Sequence, residues 1–283
     1  MRFSKMHGIG NDFIIVNCLG MDGDTVAAQA QERAAFLCDR KFGIGADGVI
    51  LALPGETHRF RMRMFNPDGS EAEMCGNGIR CFAKYLADHG HAHGQTDLPV
   101  ETGAGLLHVQ LISESCGKVD QVRVDMGEPV LKPELVPTTL GNGDQAVNVP
   151  LQIGERSLNF TAVSMGNPHA VTFVDSVADF PVSEIGPQVE RNAAFPKRTN
   201  TEFIEVVSPN EINFRVWERG AAETLACGTG ACAAVVASVL NGHTGREVLV
   251  HLPGGDLRIE WSEQDNHVYM TGPAMDVFEG EIQ

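Results

Sequence analysis

Two short stretches carry the residue types for proton chemistry at carbon. Cys75-Gly-Asn-Gly78 and Cys227-Gly-Thr-Gly230 repeat one pattern at an offset of 152 residues, and a helix-forming run follows each. A cysteine at a helix start meets unpaired backbone N–H groups and the positive end of the helix dipole. Such a setting can lower a thiol from about 8.5 to roughly 3.5–7.5, which makes a thiolate available near neutral pH. The glycines let a ligand approach the backbone and leave amides to bind a carboxylate. With two such cysteines facing one carbon, one thiolate removes a proton and the opposite thiol returns one to the other face, inverting a stereocentre. Charge developing on an α-carboxylate then needs preorganised donors, which two helix N-termini supply. The sequence has no lysine motif for pyridoxal phosphate and no metal-ligand cluster to act as another electron sink, so no cofactor is expected.

The elements that must hold these residues also occur twice. Residues 63–78 lie over residues 215–230 without a gap, and Arg63, Glu71, Cys75, Gly76 and Gly78 recur as Arg215, Glu223, Cys227, Gly228 and Gly230. Outside that window, Gly10-Asn11 lies over Gly166-Asn167 at an offset of 156. An internal repeat of this length means two copies of one domain, with equivalent residues expected to face each other across a cleft. Strands are predicted over 13–16, 48–53, 60–65, 106–112, 121–126, 169–174, 201–207, 211–217, 247–251, 257–261 and 267–271. Helices are predicted over 26–38, 76–89, 181–191 and 228–241. Strands outnumber helices without regular alternation, which disfavours Rossmann and TIM architectures and makes the fold class α+β. The expected halves are 1–126 and 127–272, with the tail 273–283 packing back on the first. The Pro-rich stretch 127–150, around Gly141-Asn142-Gly143-Asp144, reads as the linker.

Composition removes several functions. The 283 residues carry a formal charge of −16, which suits neither nucleic acid nor an anionic membrane surface. The longest apolar run, residues 231–240, is half of the roughly 20 residues a membrane-spanning helix needs. The start of the chain shows no secretory signal, and seven scattered cysteines without C-x-x-C spacing suit a reducing cytoplasm. Cys18, Cys38, Cys81, Cys116 and Cys232 read as small core residues. Gly43-Ile-Gly-Ala-Asp-Gly48 matches a dinucleotide-binding fingerprint literally, but a strand pattern follows it where that motif needs a helix. His89-Gly-His91-Ala-His93 follows a helix and reads as favourable C-terminal charge rather than a metal site.

The motifs together resemble the diaminopimelate epimerase family. Those that carry the likeness are Met6-His-Gly-Ile-Gly-Asn11-Asp-Phe, Gly43-Ile-Gly-Ala-Asp47, Phe65-Asn66-x-Asp-Gly-Ser, Cys75-Gly-Asn-Gly-x-Arg-Cys81 and Ser164-Met-Gly-Asn167-Pro-His169. Asn200, Glu218-Arg219-Gly-x-x-Glu-Thr and Ala226-Cys-Gly-Thr-Gly-Ala-Cys232 complete the set, which spans nearly the whole chain. The resemblance implies two pseudo-symmetric domains, each a mixed sheet wrapped around a central helix, and often a homodimer. It implies conversion of LL-2,6-diaminopimelate to the meso isomer without pyridoxal phosphate, for lysine and peptidoglycan synthesis. By the same resemblance Cys75 and Cys227 are the two bases, and Gly76, Asn77, Gly228 and Thr229 hold the reacting carboxylate. Asn11, Asn66, Asn167, Asn200, Glu218 and Arg219 grip the substrate, and His169 and Glu218 assist catalysis. Gly48 departs from the Gln that many relatives carry there.

Side-chain chemistry supports parts of this independently. Arg219 can bind a carboxylate bidentately and Glu218 can receive an ammonium, which fits an amino-acid end. Glu71 and Glu223 are expected to bind loop amides. A proline or hydroxyproline racemase is a second reading, against which Glu218-Arg219 and the asparagines argue for a polar far end. A redox-sensing thiol protein is a third, and it leaves the asparagines and Arg219 without a task.

Overall fold

The computed structural model describes residues 1–113, 117–141 and 143–282; Cys116 and Asn142 lie outside the described residues. The chain forms two compact units, Met1–Asp125 with Thr271–Gln283, and Met126–Met270. The first contains β1 (Arg2–Gly8), β2 (Asn11–Asn17), α1 (Gly23–Cys38), β3 (Gly48–Pro54), β4 (Phe60–Phe65), β5 (Glu71–Ala72), α2 (Gly76–Asp88), β6 (Asp97–Thr102), β7 (Gly105–Ser113) and β8 (Val119–Asp125). The second contains β9 (Val149–Ile153), β10 (Arg156–Ser164), β11 (Pro168–Phe173), α3 (Val182–Glu190), β12 (Asn200–Ser208), β13 (Glu211–Glu218), β14 (Ala222–Thr224), α4 (Gly228–Leu240), β15 (Glu247–Leu252) and β16 (Gly255–Trp261). Strand β17 (Val268–Pro273) leads back to β18 (Met275–Glu281), which pairs antiparallel with β1.

Both units use one connection scheme, and it is α+β with mixed sheets. In the first, β2 runs parallel to β3 across α1, and β4 parallel to β6 across α2. In the second, β11 runs parallel to β12 across α3, and β13 parallel to β15 across α4. The hairpins β1–β2, β3–β4, β10–β11 and β12–β13 are antiparallel.

Each unit buries its second helix almost completely. Helix α4 is apolar on every face, the pattern of a core helix rather than a surface one. It packs on β10, β11, β12 and β16. Helix α2 packs on β1, β2, β3, β7 and β8, and it takes Arg80 and Lys84 into the interior. Both cations hold hydrogen-bond acceptors there, as buried charge requires. Arg80 Nη1 donates to Gly76 O at 3.1 Å, and Lys84 Nζ donates to Asp88 Oδ2 at 2.6 Å and Val119 O at 2.7 Å. The cysteine and two glycines of each repeat thus sit at the mouth of a rigid, buried helix.

Several strands depart from the predicted set. β1 and the second half of β10 are buried on both faces, so neither shows the alternation that marks a half-buried strand. β6 contains Pro99, which speaks against a strand in sequence. The stretch expected as a linker is instead part of the second unit's core. Val136, Leu140 and Ala146 are buried there with Phe160, Phe195 and Phe203, and Thr138 Oγ1 and Thr139 N both donate to Ala194 O. Proline-rich sequence breaks regular structure but leaves apolar side chains free to pack.

His251 on β15 supplies a small pH-dependent tie. Its ring contacts Asp256 Oδ1 and Glu211 Oε1, each at 2.8 Å. Hydrogen bonds with Asp256 and then Glu211 raise its pKa above 6.5. A raised folded-state pKa gives stability that is present below the unfolded value and is lost as pH rises through the folded one. His251→Gln is therefore expected to cost under about 1 kcal/mol in acid and nothing in alkali. Urea unfolding of both proteins on either side of neutrality checks this.

Candidate active site

Each unit builds a cysteine site of its own. In the first, Cys75 is the N-cap of α2 with extended backbone (φ −141°, ψ 115°), and its Sγ accepts from Gly78 N–H at 3.4 Å. Asn11 begins β2 after Gly10, whose φ of 87° turns the β1–β2 hairpin. Its Oδ1 accepts from Asn77 Nδ2 at 3.2 Å and faces Cys75 Sγ at 3.8 Å. Its Nδ2 donates to Asp47 Oδ2 at 2.7 Å, and a carboxylate can only accept, so the amide orientation is fixed. Asp47 in turn binds Arg40, which forks onto Asp12 at 2.7 and 3.1 Å. Burial works to raise Asp12, but hydrogen bonds from Arg40 and Lys5 outweigh it and hold the carboxyl well below the usual range.

The second unit repeats the layout with different partners. Cys227 is the N-cap of α4 (φ −128°, ψ 107°) and is buried. Its Sγ lies 3.6 Å from Thr229 Oγ1, which accepts from Asn167 Nδ2 at 3.2 Å. Asn167 follows Gly166, whose φ of 91° matches that of Gly10. His169 Nε2 meets Asn167 Oδ1 at 2.9 Å, and His169 Nδ1 meets Glu202 Oε1 at 2.6 Å. Neither ring nitrogen touches Cys227.

The second glycine of each motif is there for space. A Cβ on Gly78 would lie 3.3 Å from Cys75 Cβ, and one on Gly230 would lie 3.1 Å from Cys227 Sγ and 2.9 Å from Glu202 Oε1. The expectation that a helix start lowers the thiol does not hold for Cys227 in this state. Burial, then the carboxylates of Glu218 and Glu202, push it well above its ordinary value, and donation by Thr229 and Gly230 only partly offsets them. Loss of solvent around sulfur outweighs a helix-end partial charge. Cys18 and Cys38 are pushed by burial up to about 11, and Cys81 up to about 12, as thiols of the core. Cys232 is buried as well.

The remaining residues cluster on two loops. Asn66 closes the β4–β5 turn, its Nδ2 donating to Ser70 Oγ at 3.0 Å. Buried Asn200 fastens the loop after β13: its Oδ1 accepts from Arg219 N–H at 2.8 Å, and its Nδ2 donates to Pro168 O at 3.0 Å. Glu190 holds the same loop, accepting from Gly220 N–H at 3.3 Å and from Trp217 Nε1 at 2.8 Å. Glu218 accepts from the Thr224 hydroxyl. Arg219 is exposed, with Nη1 donating to Lys197 O at 3.2 Å. Glu71 and Glu223 bind arginines rather than loop amides: Arg63 Nε donates to Glu71 at 2.7 Å and Arg215 Nε to Glu223 at 2.8 Å. A guanidinium opposite each carboxylate on an adjoining strand gives a stronger, charge-assisted partner than an amide. Sequence reading missed Asp47, Arg40, Glu190 and Glu202. Of these only Asp47 stood inside a quoted motif; the others join the site through folding alone. Among the described residues no group of three His, Cys, Asp or Glu side chains is placed to hold a metal ion.

Known proteins share this architecture. A probable proline racemase from Agrobacterium radiobacter superposes with a TM-score of 0.72 at 15% identity, covering 100% of this chain and 92% of that one. A phenazine biosynthesis protein of the PhzF family from Bacillus anthracis gives 0.69 at 18% identity, covering 100% and 99%. The fold is thus that of the racemase and PhzF class of two-unit proteins. Within that class, the sequence model for diaminopimelate epimerase matches residues 3–132 and 161–277. The diaminopimelate epimerase of Moorella thermoacetica is 54% identical over 282 residues, covering 100% of this chain and 99% of the relative. That of Acetivibrio thermocellus is 53% identical and that of Methanococcus maripaludis 51%, again over the full chain. The chain belongs to the diaminopimelate epimerase family.

Proposed function

We propose that the protein converts LL-2,6-diaminopimelate to meso-diaminopimelate by a two-base reaction, as a step of lysine and peptidoglycan-precursor synthesis in the cytoplasm. The observation that carries this is the duplicated cysteine N-cap, with Cys75 joined through Asn11 to Asp47 and Cys227 through Thr229 and Asn167 to His169. Cys75 and Cys227 exchange the roles of base and acid with the direction of reaction. The amides at Gly76-Asn77 and Gly228-Thr229 hold the reacting carboxylate and stabilise the charge that develops on it. The substrate's α-ammonium supplies the positive charge that Cys227 lacks beside Glu218 and Glu202. Asn11 and Asn167 align the thiols, with His169 acting through Asn167. Asn66, Glu218 and Arg219 read the distal amino-acid end, and Asn200 holds the Arg219 loop.

Purified protein in heavy water with LL-diaminopimelate should form the meso isomer and incorporate deuterium at the α-carbon. Exchange with L-proline instead, and none with diaminopimelate, would transfer the chain to the cyclic-substrate racemases. Two copies are proposed to associate. The support is β18, which shows Met275, Val277 and Phe278 about half exposed along the strand that pairs with β1. Sedimentation at micromolar concentration tests it. No helix among the described residues is long and apolar enough to cross a membrane.

A further inference from the structure

Beneath Cys227 the second unit buries two ionisable side chains where the first unit buries two apolar ones. In the parallel pairing of β11 with β12, His169 stands opposite Asn200; in that of β2 with β3, Phe13 stands opposite Gly48. His169 therefore corresponds to Phe13, and Glu202, two residues beyond Asn200, corresponds to Ile50. The space around the helix starts agrees. A Cβ on Gly78 would meet Ile50 Cδ1 at 3.0 Å, and a Cβ on Gly230 would meet Glu202 Oε1 at 2.9 Å. The fold accepts an apolar pair at this place. His169 and Glu202 are both 0% exposed, and apolar residues of similar volume often serve a buried position as well as an ion pair does. Stability alone does not account for them.

Their hydrogen bonds do. Asn167 Nδ2 donates to Thr229 Oγ1, so Asn167 Oδ1 is the atom facing His169 Nε2. In this arrangement that oxygen accepts, and its donor is a proton on Nε2. Thr229, accepting from Asn167, has its own hydroxyl proton to give to Cys227 Sγ, 3.6 Å away. If Nε2 lost its proton it would become an acceptor, the Asn167 amide would turn over, and Thr229 would present a lone pair to sulfur. The direction of the whole chain depends on one ring proton. Glu202 Oε1 meets Nδ1 at 2.6 Å, while Glu202 Oε2 has no hydrogen-bond partner among the described residues. The pair is thus set to keep a proton between Glu202 and Nδ1 and another on Nε2.

We infer that Glu202 is a positioning residue: it holds His169 protonated at Nε2 and, through Asn167 and Thr229, aims a hydroxyl donor at the thiolate of Cys227. This rests on the proton-transfer role proposed above for Cys227. The ionisable groups facing that sulfur are Glu202 from β12 and Glu218 from β13, with His169 on β11 behind Asn167. At the matching place the first unit has Phe13 and Ile50, and its chain from Asn11 ends on Asp47 and the exposed Arg40.

The test uses whole protein carrying ¹⁵N-histidine. In the wild type His169 is expected to carry a proton on Nε2. In Glu202→Gln the amide can either donate to Nδ1 or accept from it, so both tautomers should appear. The same variant should lose about tenfold in kcat with KM little changed, and Glu202→Asp should recover part of the loss. His169→Phe combined with Glu202→Ile copies the first unit's own pair; it should keep the wild-type circular dichroism and lose about tenfold or more in kcat. A Glu202→Gln protein with wild-type kcat, or with lowered kcat and an unchanged His169 Nε2 signal, overturns the inference. So does full turnover by the double variant, which decides the matter if Glu202→Gln does not fold. The nitrogen signal is read without substrate, so a protein inert toward diaminopimelate would overturn the proposed function and leave this test intact.

Discussion

Replacing Cys75 or Cys227 by alanine should lower epimerisation about 10⁴-fold while leaving the circular dichroism unchanged. Inversion needs a base on one face of the carbon and an acid on the other, so either loss stops the cycle. A single variant keeps at most solvent exchange at one face, without a change of configuration. On the two-base reading the thiols act as a unit, so the double alanine variant should be little worse than either single one. Serine at either position should also be severely impaired, since a hydroxyl is a far weaker acid and holds no useful anion near neutral pH. The fold should tolerate these changes: both residues serve as N-caps with extended backbone, and neither is in a disulfide. Conversion of LL- to meso-diaminopimelate is followed by chiral chromatography, with contaminating enzyme excluded by a tagged host lacking its own activity. Turnover by either alanine variant within tenfold of wild type would end the two-base reading.

The sites were legible in the sequence to the extent that they are local. A cysteine, two glycines and a helical run lie within a few residues of one another, and the repeat marks both copies. Asn11 and Asn167 were legible for the same reason, each after a glycine that turns a hairpin with φ near 90°. The residues missed are those that folding delivers from elsewhere. Glu202 is two positions along a strand from Asn200 and reads as an ordinary strand residue; only the β11–β12 register puts it on His169. Arg40 follows α1 and reaches Asp12 and Asp47 through the β2–β3 pairing. β1 and the second half of β10 were missed because burial on both faces removes the two-residue period. The thiol of Cys227 shows a further limit. A helix start is visible in sequence, but the burial and the two carboxylates that raise it are not.

Arg219→Ala should cost about 2–3 kcal/mol in kcat/KM, roughly 30- to 150-fold. Arg219 is exposed here, yet its backbone is pinned by Asn200 at 2.8 Å and the loop after it by Glu190 at 3.3 Å. A guanidinium on a fastened loop is preorganised to receive a carboxylate in two parallel hydrogen bonds, and Glu218 beside it offers a partner for an ammonium. An amino-acid end bound there is not the end that reacts. Binding energy from a remote group can be used to align the reacting one, so the loss should appear in kcat as well as KM. Arg219→Lys keeps the charge but not the fork, and should already lose most of the effect. Asn200→Ala, which frees the loop without touching the guanidinium, should shift KM and kcat in the same direction by a smaller factor. The same site must also read configuration. LL- and meso-diaminopimelate can each present an L-configured distal end to Arg219 while the other centre reacts; the DD isomer cannot. Deuterium should therefore enter the first two and not the third. Equal exchange from all three isomers, or an Arg219→Ala protein with wild-type kcat/KM, would mean that the far end is not being read and would return the chain to a less selective racemase.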